Sequence, residues 1–293
     1  MSLHIVTVAT QSEYYFPYLI DSCERNGVTL EVLGLGEEWQ GFNWRYTKMI
    51  EYLKSLPKND IVCFVDGYDV ICCRDLKEMP NVFYELKNKH KCKVIFGEDK
   101  TKSLMMDLNS LYFGKCDGQK LNAGTYIGLA GDLLVIVTNI YKLDARNDAD
   151  DQVLVTEYCN KNPNEIYCDT KNQLFLSLLD PLSELDRHVE INNQTKLLTY
   201  NSNAPFFMHA PGYGYLDNVI RKLGYSIEEN KIKNKLFNNF IEKKIMLYFR
   251  TIVSEYLHII LLIIFIIVLL VIIYYMYFKK IKNKYNIKIN KIK

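Results

Sequence analysis

The fold is decided by the stretch Ile61-Val-Cys-Phe-Val65, which runs directly into Asp66-Gly67-Tyr68-Asp69. The unbroken apolar run predicts a buried strand, and the two aspartates follow where it ends. In a continuing strand, residues three positions apart point to opposite faces of the sheet, so these carboxylates would not meet. Gly67 permits a turn that brings them together. The carboxyl end of a strand is where α/β folds bind their ligands.

The carboxylates of Asp66 and Asp69 favour a metal site. Their mutual repulsion is costly unless a cation lies between them. A hard divalent ion such as Mn²⁺ or Mg²⁺ prefers oxygen ligands of this kind. Bound to a sugar nucleotide, such an ion stabilises the negative charge that develops on the diphosphate when the sugar leaves. An Asp-Gly turn that caps the next helix explains the same tetrapeptide without any ligand, so both interpretations stay open at this point.

The alternation of apolar runs with amphipathic stretches predicts an α/β fold around a mainly parallel sheet. In the first half of the chain we expect strands at 3–9, 29–33, 61–65 and 94–97 and helices at 17–26, 44–56 and 76–89. Further along we expect an extended segment at 121–129, helices at 132–141 and from Asp150 onward, and short strands at 166–168, 189–191 and 206–209.

The chain of 293 residues is long enough for one substantial core with appendages. We expect a globular domain at 1–223, a basic juxtamembrane connector at 224–256, a transmembrane helix at 257–278 and a Lys-rich tail at 279–293. Residues 259–278 are uncharged and largely aliphatic. As a helix they would span about 30 Å, the thickness of the hydrocarbon core of a bilayer.

The charge distribution indicates which partners are expected, and the cysteines indicate the cellular compartment. The formal net charge of +2 gives no argument for nucleic-acid binding, because positive residues concentrate in the tail. The eight cysteines lack C-x-x-C spacing, and we expect buried free thiols, which favour a reducing compartment, although the even count leaves disulfides open. The N-terminus lacks the basic segment of a secretory signal. Together with the thiols, this lack favours a C-terminal anchor with a cytosol-facing domain. The lysines behind the membrane segment favour the opposite orientation.

Other polar and aromatic residues admit both functional and structural interpretations. Small residues around Asn122 would let the backbone approach a ligand, although a Gly-rich turn needs none. The helix dipole explains Asp150 and Asp151 at a helix start without any function. His209 follows an apolar run, and a lone histidine of this kind is more often structural than a ligand. Trp39 could stack on a base or a sugar, or simply pack on the surface.

Six blocks of sequence, taken in order, carry a family resemblance. They are Val6-Thr-Val-Ala-Thr10, Leu33-Gly-Leu-Gly-Glu-Glu-Trp39, Phe64-Val-Asp-Gly-Tyr-Asp-Val70, Leu121-Asn-Ala-Gly-Thr-Tyr-Ile-Gly128, Asp150-Asp-Gln152 and His209-Ala-Pro-Gly212. Over roughly residues 3 to 220, this series resembles the glycosyltransferase domain of the procollagen lysyl hydroxylases. The resemblance implies a Rossmann-like GT-A glycosyltransferase fold, a UDP-sugar donor, Mn²⁺, and transfer of glucose or galactose to hydroxylysine-linked acceptors.

The resemblance also implies roles for individual residues. Asp66 and Asp69 match the family's metal-binding acid pair, and His209 matches its third metal ligand. The positions implied for donor binding are Thr10, Trp39, Lys48, Tyr68 and Gly212. The positions implied for the donor sugar and the acceptor, and so for catalysis, are Asn122, Asp150 and Asp151.

We therefore expect a membrane-tethered, metal-dependent glycosyltransferase. Asp150 or Asp151 would orient or deprotonate the acceptor hydroxyl, and Asn122 would position the sugar. The expected partners are a UDP-sugar donor, a collagen-like protein or glycan acceptor, the membrane, and a second copy of the chain in a homodimer. No H-x-D iron motif occurs, so we expect glycosylation without hydroxylation. The alternative is a catalytically inactive, membrane-anchored sugar-binding adaptor.

The composition of the tail bears on the source of the chain. Its Asn-, Lys- and Ile-rich sequence is typical of an AT-rich genome. A large DNA virus with collagen-like proteins would fit both the composition and the resemblance.

Overall fold

The predicted α/β architecture with a mainly parallel sheet is confirmed. The structure is a computed structural model that describes residues 1–101, 113–179, 185–211, 214–228, 232 and 259–279. Gly212, most of the connector at 224–256 and the tail beyond residue 279 lie outside these ranges.

The described residues form eleven strands and seven helices. The strands are β1 (Leu3–Val8), β2 (Leu30–Leu33), β3 (Ile61–Val65), β4 (Val70–Cys72), β5 (Val94–Thr101), β6 (Leu121–Leu129), β7 (Ile166–Asp169), β8 (Phe175–Leu179), β9 (Glu190–Ile191), β10 (Leu198–Thr199) and β11 (Phe207–His209). The helices are α1 (Phe16–Arg25), α2 (Trp44–Ser55), α3 (Met79–His90), α4 (Ala130–Tyr141), α5 (Asp151–Lys161), α6 (Asp217–Lys222) and α7 (Ile259–Lys279).

The main sheet has the strand order β2-β1-β3-β6-β5-β8-β11-β4, and β7 pairs with β5 outside this path. Parallel pairs join β1 to β2 and β3, β5 to β7 and β8, and β8 to β11. Strand β6 runs antiparallel to both β3 and β5, and β4 runs antiparallel to β11. The carboxyl ends of β1, β3, β5, β8 and β11 therefore lie at one edge of the sheet, together with the start of β6.

Helices cover both faces of this sheet. Along β3, Val62 and Phe64 pack into the core shared with α2 and α4, whereas Cys63 and Val65 pack into the core shared with α1 and α3. The sequence of a strand that is buried on both faces is a continuous apolar run, without the alternation of apolar and polar residues seen in half-buried strands. This explains the unbroken run that ends at Asp66.

The predicted elements are confirmed with small changes at their ends. Residues 76–78, predicted as the start of a long helix, form a 3-10 turn, and α3 begins at Met79. Pro80 explains this boundary, because proline is tolerated only in the first turn of a helix. Strands β4, β8 and β10 and helix α6 were not predicted; β4 has only three residues and β10 only two.

Six cysteines are buried free thiols as expected, and one pair forms a disulfide, the alternative that the even count left open. Cys116 and Cys159 form a disulfide, which ties the segment before β6 to helix α5. The buried free thiols are Cys23, Cys63, Cys72, Cys73, Cys92 and Cys168. Because disulfides persist in oxidising compartments, the pairing weakens the thiol argument for a cytosol-facing domain.

Helix α7 has the length and composition of a membrane span. It covers 21 residues, an 18-residue window of it has a mean hydropathy of 3.4, and its apolar side chains are exposed instead of packed in a core. Among the described residues it is the one helix long and apolar enough to cross a membrane.

We expect removal of the disulfide to destabilise the protein. The bond spans a sequence separation of 43, and the loss of chain entropy that it imposes on the unfolded state is worth about 4 kcal/mol. The double variant Cys116→Ala/Cys159→Ala should lose about this much free energy of unfolding, measured by chemical denaturation. A reducing agent should lower the melting temperature of the wild type and of the control Cys92→Ala, but not that of the double variant. A wild-type melting temperature that does not respond to the reducing agent would contradict the assignment.

Candidate functional site

The metal-binding residues predicted from the sequence meet at the edge of the sheet where the parallel strands end. Asp66 directly follows β3, and its backbone N–H donates to the carbonyl of Gly124 in β6 at 2.9 Å. Gly67 lies against β1, where a Cβ would stand 3.0 Å from the Thr7 hydroxyl and 3.2 Å from the Ala9 methyl group. Glycine therefore allows the tight turn that returns the chain to Asp69 and β4.

The pairing of β4 with β11 brings His209 to the same place. His209 lies opposite Val70 in this antiparallel pair, and the N–H of Ala210 donates to the Asp69 carbonyl at 2.8 Å. The imidazole Nε2 stands 3.5 Å from Asp66 Oδ2 and 3.2 Å from Asp69 Oδ1. The three ligand atoms lie within 4.8 Å of one another, so Asp66, Asp69 and His209 form a candidate site for one divalent cation.

Two observations show that these residues fit a cation. Nε2 of His209 is buried and makes no well-aligned hydrogen bond, although Asp69 Oδ1 stands 3.2 Å away. A buried polar atom without a partner is costly, and a cation between these groups would satisfy it. Burial lowers the pKa of His209, but the charges of Asp69 and Asp66 outweigh this effect and raise the pKa above its ordinary value. The pocket is therefore electronegative enough to attract a positive charge.

Arg45 is a residue of this site that the sequence analysis missed. It lies in α2, almost fully buried, and its guanidinium group bridges the carboxylates of Asp66 and Asp151. Burial raises the pKa of Asp151, and the charge of Arg45 opposes that shift. No motif marks Arg45, because an arginine in an amphipathic helix is expected on the surface. Only the packing of α2 beside β3 shows that it points inward.

Two cavities adjoin at this site. The smaller cavity has a volume of about 320 Å³ and the larger about 460 Å³. The residues that line both are Phe42, Arg45, Asp66, Tyr68 and Asp69. The candidate metal site therefore lies in a wall between two spaces, each within or close to the size range of small-molecule pockets.

The smaller cavity contains three of the predicted donor-binding residues, namely Thr10, Trp39 and Tyr68. The hydroxyl of Tyr68 accepts hydrogen bonds from the backbone N–H groups of Thr10 at 2.9 Å and Gln11 at 3.2 Å. This contact ties the turn after β3 to the end of β1. Trp39 is 40% exposed at the rim and meets the ring of Phe42 edge to face, which leaves an aromatic surface open to the cavity.

Other predicted residues lie in different surroundings. The ammonium group of Lys48 pairs with Glu37 at 2.5 Å, and Lys48 does not line either cavity. Asp150 caps α5 by accepting from the backbone N–H groups of Gln152 and Val153. The next residue, Asp151, lines the larger cavity instead.

Asn122 also borders the larger cavity, near the residues that hold His209. Gly212 lies outside the described residues.

We expect the substitution Gly124→Ala to abolish tight metal binding. A Cβ at this position would overlap the carboxylate of Asp66 and stand 2.8 Å from the His209 ring. Displacement of two ligands should weaken Mn²⁺ binding by about 10- to 100-fold or more, measured by titration calorimetry in the presence of UDP. The control Gly131→Ala, whose Cβ would meet only Lys58, should retain the wild-type affinity. Unchanged Mn²⁺ affinity in a folded Gly124→Ala variant would contradict the site.

Arg45→Met should destabilise the metal-free protein. Loss of the guanidinium group leaves the carboxylates of Asp66 and Asp151 without their shared partner, at a cost of about 3–5 kcal/mol in the free energy of unfolding. The matched control Arg146→Met removes an exposed pair with Asp144 and should cost less than about 1 kcal/mol. Added Mn²⁺ should restore part of the loss, since it neutralises Asp66. The free energy of unfolding is measured by urea denaturation. Equal destabilisation by both substitutions would refute this account.

Comparison with known proteins identifies relatives. A family model described as the PLOD GT domain matches residues 1–235. The chain is 26% identical over 281 residues to the multifunctional procollagen lysine hydroxylase and glycosyltransferase of Caenorhabditis elegans, covering 83% of this chain and 37% of the relative. It is 27% identical over 242 residues to the multifunctional procollagen lysine hydroxylase and glycosyltransferase LH3 of Homo sapiens, covering 74% of this chain and 31% of the relative.

Among solved structures, the chain is similar to a glycosyltransferase involved in the glycosylation of the major capsid of PBCV-1. The TM-score is 0.47 at 14% identity, covering 76% of this chain and 98% of that one. This chain spans about a third of the length of the curated relatives that it matches. Because the family model covers most of the sequence and the predicted site residues meet at one edge of the sheet, the chain belongs to the family of PLOD glycosyltransferase domains.

Proposed function

We propose that this glycosyltransferase transfers glucose or galactose from a UDP-sugar to a hydroxyl group, with Mn²⁺ held by Asp66, Asp69 and His209. The observation that carries the proposal is the convergence of Asp66, Asp69 and the buried Nε2 of His209 in the wall between two cavities. A hydroxylysine or galactosyl-hydroxylysine of a collagen-like protein is the acceptor we propose. The procollagen relatives support that choice.

The smaller cavity suits the nucleotide. Its rim carries the Trp39 and Phe42 rings, on which a uracil ring can stack. Thr10 and Tyr68 also line this cavity, and their hydroxyl groups can hold the ribose or the base edge. The diphosphate would then reach the wall formed by Asp66 and Asp69, where a bound Mn²⁺ acts as a Lewis acid on the leaving group.

The larger cavity suits the sugar and the acceptor. Asp151 lines it and is held in place by Arg45, whereas Asp150 does not line it and uses one carboxylate oxygen to cap α5. We therefore assign the positioning of the acceptor hydroxyl to Asp151. Burial raises the pKa of Asp151, which makes its carboxylate a better proton acceptor than an exposed aspartate. The cation at Arg45 also adds positive charge beside the departing diphosphate.

Helix α7 is proposed as the membrane anchor of a glycosyltransferase domain at 1–223. Its 21 residues span about 30 Å, which matches the hydrocarbon core. The cytosol-facing orientation stays a prediction, as does the homodimer. The Cys116–Cys159 disulfide and the Lys-rich sequence beyond α7 both favour the opposite side.

The direct test is UDP release that depends on Mn²⁺, assayed with each common UDP-sugar and collagen-like peptides that contain hydroxylysine or galactosyl-hydroxylysine. Asp66→Asn keeps the shape of the side chain but removes its charge from the metal site. We expect kcat to fall by about 100-fold or more, because stabilisation of the leaving group is lost. The control Asp144→Asn changes an acid outside the site that pairs with Arg146, and it should keep wild-type activity. Undiminished activity of Asp66→Asn would remove the metal assignment.

The alternative function, an inactive sugar-binding adaptor, predicts a different outcome in the same assay. One observation favours it: Arg45 already neutralises one oxygen of Asp66 and so competes with a cation. An adaptor would be stabilised by UDP-sugar, by about 2.7 kcal/mol at a hundred times its Kd, yet would release no UDP with any donor and acceptor pair.

A further inference from the structure

The side chain of Asn122 is engaged by the protein at both of its polar atoms. The residue is 4% exposed, at the start of β6. Its Nδ2 donates to Asp99 Oδ1 at 2.8 Å. Its Oδ1 accepts from the backbone N–H of Gly124 at 3.1 Å and from the hydroxyl of Thr125 at 3.2 Å. Because a carboxylate attracts donors and a backbone N–H can only donate, these neighbours determine which way the amide points.

The orientation of this amide selects the tautomer of His209. Oδ1 of Asn122 lies 3.1 Å from Nδ1 of His209, and an amide oxygen can only accept. The proton of the neutral imidazole must therefore be on Nδ1, where the hydroxyl oxygen of Ser177 at 3.1 Å can also accept it. Nε2 then carries the lone pair, and Nε2 is the atom that faces Asp66 and Asp69. A histidine binds a metal ion through such a lone pair.

The same amide also supports a second ligand. Asn122 Oδ1 binds the N–H of Gly124, and the carbonyl of Gly124 in turn accepts the N–H of Asp66 at 2.9 Å. One side chain thus connects the backbone beneath Asp66 with the ring of His209. These contacts occupy Oδ1 and one N–H of Nδ2, so the second N–H of Nδ2 is the group of Asn122 that could still reach a sugar in the larger cavity.

We propose that Asp99 and Asn122 are positioning residues, which hold His209 with its proton on Nδ1 and so set the affinity of the site for a divalent cation. This inference rests on the proposed function and assigns to Asn122 a role other than the sugar contact expected from the sequence. Asp99, near the end of β5, is connected to the site by the contacts from Asp99 to Asn122 to His209, and its charge also acts on the imidazole.

Two substitutions separate this role from a merely structural one. In Asp99→Asn, the Asn122 amide loses the charged acceptor that favours its present orientation, so only the Gly124 N–H and the Thr125 hydroxyl still oppose a reversal that would present its NH₂ group to Nδ1. That reversal favours the proton on Nε2 and blocks the ligand lone pair. In the exchanged pair Asp99→Asn/Asn122→Asp, the amide at 99 donates to the carboxylate at 122, whose other oxygen again accepts the proton from Nδ1. The exchange should therefore restore the tautomer.

The test uses the full-length chain in detergent. Mn²⁺ affinity in the presence of UDP is measured by calorimetry. The tautomer is measured from the ¹⁵N shifts of His209 in metal-free protein with labelled histidine, at a pH high enough to keep the imidazole neutral, because Asp69 and Asp66 raise its pKa. We expect Asp99→Asn to weaken Mn²⁺ binding by about 10- to 100-fold and to shift the tautomer. The exchanged pair should restore both, and the surface control Asp132→Asn should change neither. The donor KM at saturating Mn²⁺ should stay at the wild-type value in Asp99→Asn.

Contrary outcomes are equally distinct. Wild-type Mn²⁺ affinity and tautomer in a folded Asp99→Asn variant, or failure of the exchanged pair to restore either property, would overturn the proposal. So would an Asp99→Asn variant whose only defect is a raised donor KM, because that pattern belongs to a sugar contact. The ¹⁵N measurement is made without metal or substrate, so its result holds even if the wild type proves unable to transfer a sugar.

Discussion

Charge compensation at one edge of the sheet is the constraint on which the site depends. Asp66, Asp69 and Asp151 bring three carboxylates close together at a wall that is largely removed from water. In the metal-free protein Arg45 compensates Asp66 and Asp151, which it bridges, whereas the repulsion between Asp66 and Asp69 beside Nε2 of His209 remains. A divalent cation at Asp66, Asp69 and His209 would complete this balance, because it removes the repulsion that remains between the two ligand carboxylates.

The sheet topology makes this arrangement possible. Strand β6 runs antiparallel between β3 and β5, so its first residues lie at the edge where β3 and β5 end. That places Gly124 directly beneath Asp66 and leaves space that a side chain would fill. The short strand β4 pairs with β11, and this pairing places His209, which is distant in the sequence, beside Asp69. Without this pairing, the turn after β3 would hold two acids and no third ligand.

The position of the wall between two cavities connects the geometry with group transfer. A donor in the smaller cavity and an acceptor in the larger one would meet at the residues shared by both. Arg45 and the ligand carboxylates would then act on the bond that breaks, and Asp151 on the hydroxyl that attacks. Holding both reactants in one orientation lowers the entropic part of the barrier, which is a large share of what such an enzyme can contribute.

The sequence by itself determined most of the secondary-structure elements and, within the site, the pair of acids at Asp66 and Asp69. Local information suffices for the strand at 61–65, for the turn at Gly67 and for the apolar helix at 259–278, because periodicity, glycine and length act over a few neighbouring residues. The resemblance of ordered motifs added His209 as the third ligand. Only the tertiary structure decided that Arg45 lies buried between two acids, that Asp99 supports Asn122, and that Cys116 pairs with Cys159. Each of these contacts joins residues far apart in the chain, and no local pattern encodes such a contact because it depends on how the whole sheet is ordered.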